Sequence, residues 1–348
     1  MSSAGPNHEE PELPPEFEAD LYRASGADLH DLSDEDLERQ YRDNGPCEGR
    51  IASRVANRAA FVQLLARSSS LLEIGPFASP LLTGNNVKYF DVLPTNALRE
   101  RAKLHGLNPE LCPQIDFVSE TGDLSVVSES FAAVVSSHVV EHQPDLISHL
   151  GDVAGVLEDR GRYYLAIPDK RYCFDHFIPE SSISGVVSAH VRRLRVHDVA
   201  SVIEHRALTT HNDPRRHWAG DHGQPAYQTH PRLIREVTEA WLLSRGQYVD
   251  VHAWQFVPAS FRRLMQTLLD LRLSAFRVLR VYATAPGSVE FYAVLEKTSA
   301  PVVPLDGSLP PDFDESGYLL ANPDVARAGA GAAEHYLRYG RFEGRRLR

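Results

Sequence analysis

The sequence predicts an α/β protein: a seven-stranded, mostly parallel sheet with helices on both faces, a helical insertion and a small helical module near the C-terminal end. Two observations carry most of this. Between residues 71 and 297, short apolar runs alternate with segments of helical spacing, the pattern of strand–helix–strand units. The runs are mainly apolar rather than alternating, as expected of strands covered on both faces. Length and composition agree: 348 residues, 43% hydrophobic and 24% charged, allow one large domain with appendages, or two domains, and a full core.

The elements follow in order. Residues 1–45 carry thirteen Asp and Glu against Arg23, Arg39 and Arg42, a net of −10 out of the chain's −11. Residues 1–30, rich in Pro, Glu and Asp, are expected to be largely disordered. A short helix is expected after Ser33, which precedes Asp34, Glu35 and Asp36 in a first turn. The main domain, 46–298, begins with a helix over 48–67, where Ile51, Val55, Ala59, Val62 and Leu65 share a face. Strands are predicted at 71–75, 87–92, 115–118, 131–137 and 162–168, with helices at 95–106 and 144–159. Residues 180–245 break the rhythm and read as an insertion of helices and polar loops. The alternation resumes with a strand-like run at 248–257, a helix at 258–272 and strands at 276–284 and 289–297. A Pro-rich linker, 299–311, leads to the module 312–348, where Tyr318, Leu319, Val325, Tyr336, Leu337 and Tyr339 provide a small core.

Several function classes fall away. No run of eighteen apolar residues exists, which excludes a membrane span. The first residues show neither the basic start nor the apolar stretch of a signal peptide, so a cytoplasmic protein is expected. Outside the acidic segment the charge is near −1, with no basic stripe to neutralise a nucleic acid. Cys47, Cys112 and Cys173 are too far apart for a disulfide framework or a Cys-x-x-Cys knuckle.

Ligands of parallel sheets bind beyond the C-terminal ends of the strands. The first strand there reads Glu73-Ile74-Gly75, and Gly75 lets a ligand approach the backbone. Sixteen residues after Gly75, Asp91 ends the second strand, where an acid accepts both ribose hydroxyls of an adenosyl cofactor. A pyrophosphate needs a loop of several glycines with free N–H groups. Here Pro76, Phe77 and Ala78 follow a single glycine, so a dinucleotide fits poorly and S-adenosylmethionine fits better.

At these residues the chain resembles the class I S-adenosylmethionine-dependent methyltransferases, which have a Rossmann-like sheet. It is most similar to a bacterial branch with a first loop E-I-G-x-x-x-x-P and a second strand of the form Y-x-D-x-L-P (Tyr89, Asp91, Leu93, Pro94). The resemblance spans about residues 50–297. It implies that Glu73, Gly75 and Pro76 line the methionine part, that Asp91 takes the ribose, and that Glu120 reaches the adenine with Thr121 as a backbone contact. It also implies Ser137 and His138 beside the methionine moiety, with Glu141 and His142 packing the next turn. Two departures stand out: Ala132 where the family usually has Asp, and no Gly-x-Gly in the first loop. His138 and His142 are four apart, a metal-ligand spacing, but the resemblance favours structural roles for them. Asp169, Lys170 and Arg171 emerge at the ligand-bearing end, either to order the rim by salt bridges or to touch an acceptor.

Seven of the sixteen histidines fall between His190 and His230, in and around the insertion where an acceptor site is expected. A hydroxyl acceptor needs a base, and histidine serves near neutral pH. The candidates are His205, His211, His217, His222 and His252, and most of the five are expected to be packing or surface residues. His252, in a stretch that resembles the branch, is the preferred base, with His205 or the His211–His222 group orienting the acceptor. A divalent metal held by His211, Asp213, His217, Asp221 or His222 is the less favoured alternative. Its histidine-heavy donor set points to Zn²⁺, Mn²⁺ or Fe²⁺ rather than Mg²⁺.

Residues 312–348 resemble a short bacterial repeat that accompanies glycosyltransferases and other polysaccharide-assembly proteins. Its arginine-rich end either docks a partner or faces the acidic N-terminal segment. Together these readings predict an O-methyltransferase acting on a sugar hydroxyl of a glycan or glycoconjugate, with a glycosyltransferase assembly as an expected partner. Two alternatives stay open: methylation of a lipid, quinone or natural-product scaffold, and a non-catalytic methyltransferase-like scaffold.

Overall fold

The computed structural model describes residues 13, 17–44, 50, 52, 53, 55, 57–66, 68–244, 246–305, 308–310 and 313–347. Its strands are β1 (Leu71–Ile74), β2 (Val87–Asp91), β3 (Phe117–Val118), β4 (Phe131–Ser137), β5 (Leu157–Pro168), β6 (Phe276–Val281) and β7 (Glu290–Lys297). They form one sheet in the order β3-β2-β1-β4-β5-β7-β6. Strands β1 to β5 pair in parallel, and β7 runs antiparallel to both neighbours. The short connection between β6 and β7 requires that reversal, because a parallel crossover needs a dozen or more residues. Reversal brings the beginning of β7 to the end of β5, with Glu290 opposite Pro168.

Both faces are covered, as the mainly apolar strands predict. One face packs Leu72, Ile74, Val134 and Leu165 against helices Leu146–Val156 and Pro258–Asp270. The opposite face packs Leu71, Tyr89, Val135 and Ala166 against helices Arg58–Leu65 and Thr95–Leu104. Asp145 starts the first of these helices by accepting from Ser148 N at 3.0 Å, and Leu146, Leu150 and Val153 then fall on its inner side. The insertion is helical as predicted, with helices at Ile183–Val191, Val199–Ala207, Pro214–Trp218, Ala226–Thr229 and Leu233–Leu243.

Four expectations are corrected. The run 248–257 is extended but makes only an isolated bridge, Asp169 to Phe256. Both edges of β5 are already taken by β4 and β7, so no edge is left for it. The helix expected over 48–67 covers only Arg58–Leu65, because Asn57 caps it by accepting from Ala60 N at 2.9 Å; Ile51 lies outside the described residues. Of residues 1–30, those at 1–12 and 14–16 lie outside the described residues, and 17–30 are folded. Helix Ala19–Ala24 and a turn at Ala27–Leu29 join helix Asp34–Asp43 around Tyr22, Leu29, Leu37 and Tyr41, while Arg23 pairs with Asp20 and Asp34 outside. Mean composition hid this small aromatic core. In the C-terminal module, Tyr318, Val325, Ala332 and Tyr336 are buried but Tyr339 is exposed, and Arg345 meets Asp324 and Glu343 of the same module. Among the described residues no helix is long and apolar enough to cross a membrane.

Candidate functional site

The C-terminal ends of β1, β2, β4 and β5 and the start of β7 converge on one edge of the sheet. Gly75 continues the ladder, donating its N–H to Phe90 O at 2.9 Å, then turns with φ +68°. A Cβ at this glycine would come 2.9 Å from Val139 Cγ2, so close approach as well as handedness selects glycine. Glu73 is buried two residues earlier. Its Oε1 accepts from Leu81 N at 2.8 Å, and its Oε2 has no hydrogen-bond partner among the described residues. Burial lifts its pKa to about 7. Pro76 is buried, and Phe77 after it takes a positive φ of 44°. Asp91 is buried at the end of β2, accepts from Leu93 N at 3.1 Å, and is pushed up from the usual carboxylate range by burial.

The loop after β3 is organised by an acid that the sequence reading passed over. Asp123 accepts from Ser125 and Thr121 hydroxyls, from Ser119 Oγ at 3.1 Å and from Ser125 N at 3.2 Å, and these bonds hold its carboxyl low. Glu120 and Thr121 are exposed on the turn. Ser137 ends β4 half-buried, and His138 follows with a left-handed φ of 54°, its N–H bonded to Ala166 O at 3.0 Å. That conformation is uncommon for a side-chain-bearing residue and re-aims the imidazole.

Just past this turn lies Glu141, 0% exposed, with neither carboxylate oxygen hydrogen-bonded among the described residues. Three imidazoles face its Oε1: His138 Nδ1 at 3.7 Å, His142 Nε2 at 4.0 Å and His252 Nε2 at 3.9 Å. Each imidazole has a carboxylate at its other nitrogen. Asp175 Oδ2 is 2.6 Å from His252 Nδ1, Asp250 Oδ1 is 2.9 Å from His142 Nδ1, and Glu290 Oε2 is 2.7 Å from His138 Nε2. Burial alone would disfavour the imidazolium forms of His138 and His142. The contacts with Glu290 and Asp250, together with the nearby Glu141, outweigh it and raise both. Burial would likewise raise Glu290, but its bonds to His138 and Arg58 bring it down to about 2.

His252 and His205 are brought together. His205 Nδ1 accepts from the His252 backbone N–H at 3.0 Å, and burial lowers its pKa to about 4, so it is a neutral support. His211 is not in this group: its Nε2 donates to Asp221 O at 3.0 Å and its Nδ1 accepts from Asp213 N at 3.3 Å, closing its own loop. Of the five residues considered for a metal, Asp213 caps helix Pro214–Trp218 and Asp221 pairs with Arg216 at 2.7 Å. Of these five, among the described residues, His217 and His222 bring potential ligand atoms together, joined by His176, while His211 stacks on His217. Asp169 is fully buried and holds the Arg171 side chain and the Thr284 hydroxyl, while Lys170 Nζ donates to His176 O at 2.9 Å. These residues order the rim. Trp218 stacks on Tyr172 with ring centres 3.9 Å apart. A separate cleft of about 630 Å³ between helix Leu146–Val156 and residues 302–305 takes in Asp123 at its edge and none of the imidazoles around Glu141.

Sequence reasoning missed Asp175, Asp250, Glu290 and Arg58, which reach the site from four different elements. A carboxylate directly before a histidine, as in Glu141-His142 and Asp175-His176, was the only local signal.

No family model matches the chain, and among curated proteins none matches it in sequence. Solved structures similar to it include the mitomycin 7-O-methyltransferase, at 12% identity and TM-score 0.34 over 69% of this chain and 54% of that one. Human N-acetylserotonin methyltransferase in complex with SAM is similar at 15% identity and TM-score 0.34, over 70% and 52%. DhpI in complex with SAH is similar at 13% identity and TM-score 0.37, over 81% and 95%. The chain thus spans about half the length of the first two.

Proposed function

We propose that the chain is an S-adenosylmethionine-dependent O-methyltransferase acting on a saccharide hydroxyl. One observation carries this reading: a buried carboxylate faced by three imidazoles sits directly beyond the strand ends that hold the single-glycine turn and the buried Asp91. The residues fit the donor. The unpartnered Oε2 of Glu73 suits a ligand ammonium, Gly75 leaves room where a Cβ would clash, and Asp91 suits a ribose diol. Bound there, S-adenosylmethionine supplies a methyl group on a sulfonium, which an acceptor oxygen takes in line as the C–S electron pair returns to sulfur.

The chain's own task is to bring the acceptor into line and to lower the cost of removing its proton. A sugar hydroxyl has a pKa far above neutrality, so it must be activated where it meets the methyl group. The Glu141 cluster is placed for that, and His252 is the residue on which it depends most. Asp175 holds its Nδ1 and so directs its Nε2 toward Glu141, and His205 anchors its backbone. The saccharide class is supported by the resemblance of the C-terminal module to repeats found with glycosyltransferases.

His252→Ala should lower turnover by about 10²–10⁴-fold and leave donor affinity unchanged. A fully active variant would refute the role. Incubation with labelled donor and fractionated cell glycans, lipids and small metabolites tests the acceptor. Label is expected in the glycan fraction; label in another fraction would overturn the saccharide assignment, and no label in any fraction would overturn the methyl transfer.

A further inference from the structure

The spacing around Glu141 is wrong for hydrogen bonds and, for His142 and His252, right for a shared ion. The three imidazole nitrogens stand 3.7, 4.0 and 3.9 Å from one carboxylate oxygen, beyond the roughly 2.7–3.2 Å of a hydrogen bond. Donors bound to one ion at about 2.1 Å lie about 3.0 Å apart at right angles and about 4.2 Å apart when opposite. A buried carboxylate with no hydrogen bond is costly unless something compensates its charge.

The far side of each ring agrees. A metal-binding histidine is oriented by a carboxylate or carbonyl on its other nitrogen. Here Asp175 is hydrogen-bonded to His252 Nδ1, and Asp250 lies 2.9 Å from His142 Nδ1 as an ion-pair neighbour, so the Nε2 atoms of both rings are left facing Glu141. Glu141, His142 and His252 offer ligand atoms within 4.8 Å of one another, and these residues come from the turn after β4 and from the extended run 248–257. The backbone ties the two segments together, since Glu141 O accepts from Ala253 N at 2.7 Å.

We infer that Glu141, His142 and His252 form a binding site for a divalent transition metal, while His138 faces the same carboxylate from outside the donor set. One carboxylate with imidazoles suits Zn²⁺, Mn²⁺, Fe²⁺ or Co²⁺ and disfavours Mg²⁺. The inference rests on the proposed function in one respect: an ion here lowers the pKa of a hydroxyl that binds it. The site itself stands on the geometry alone.

The test uses the full chain, stripped with chelator and titrated with Co²⁺, followed by visible absorption and calorimetry. One equivalent is expected, with d–d bands of an imidazole–carboxylate site. Affinity should fall at least about tenfold in Glu141→Gln and in His142→Ala, and by about 10–100-fold in Asp175→Asn. His142 is partly exposed, so its variant should fold, which circular dichroism checks. No uptake of Co²⁺, or uptake untouched by both ligand variants, would overturn the site; the latter would move the ion to His176, His217 and His222. Uptake needs neither donor nor acceptor. Label transfer by a chain that takes up no metal would leave the methyltransferase reading standing, and metal uptake without transfer to any fraction would sink only the reaction.

Discussion

Glu73 carries a titration that can be read without knowing the acceptor. Burial lifts it to about 7 from an ordinary 4.5, so near pH 6 it is mostly neutral. A cationic ligand beside Oε2 favours the carboxylate and expels the proton. Calorimetry of donor binding at pH 6 in buffers of different ionisation enthalpy should therefore show proton release, absent in Glu73→Gln. Stability follows with a definite sign. With the folded pKa above the unfolded one, the contribution is full below about pH 4.5 and is lost as pH rises through about 7. Glu73→Gln should thus gain up to about 3 kcal/mol on the wild type between pH 5 and pH 8, measured by denaturant unfolding. An unchanged difference across that range would refute the assignment. Residues such as Glu73, Gly75 and Asp91 were legible in the sequence because their chemistry is local: a strand end, a turn, an acid at a fixed distance. Asp175 and Glu290 were not, because only the tertiary path brings them to His252 and His138.

At the scale of elements, β4, β5 and helix Leu146–Val156 are joined by a buried polar bridge. Tyr163 Oη lies 2.7 Å from Ser136 Oγ and 2.9 Å from His149 Nε2, and burial holds His149 at about 4, so the ring is neutral. Tyr163→Phe should cost about 1–3 kcal/mol, since it strands two buried polar groups. A neutral substitution by thermal unfolding would show that they find other partners. The main strands and helices could be read from periodicity, because burial on both faces writes itself into apolar runs. The strand-like run 248–257 could not be placed, since nothing in it says that both edges of β5 are occupied. The aromatic core of residues 17–44 was equally hidden, its few rings diluted among thirteen acids in the first 45 residues.

For the whole molecule, the apolar clusters divide the chain into parts that cohere separately. Tyr318, Val325, Ala332 and Tyr336 pack with one another, apart from the two clusters that clothe the sheet. Truncation after Thr298 should leave the main unfolding transition within a few degrees of the full chain, as scanning calorimetry would register. A large drop would mean that the module braces the sheet.

The reversed final strand has a consequence for synthesis. Glu290 clamps His138 and Arg58 from a position more than 150 residues beyond either. While the chain emerges from the ribosome, strands β1 to β5 are complete long before that clamp exists. Arg58 and the left-handed turn at His138 wait for the last strand to slide between β5 and β6. A nascent chain halted before Glu290 would hold most of its sheet and the Glu141 group but not the clamp on His138 and Arg58, so that corner of the site is completed last.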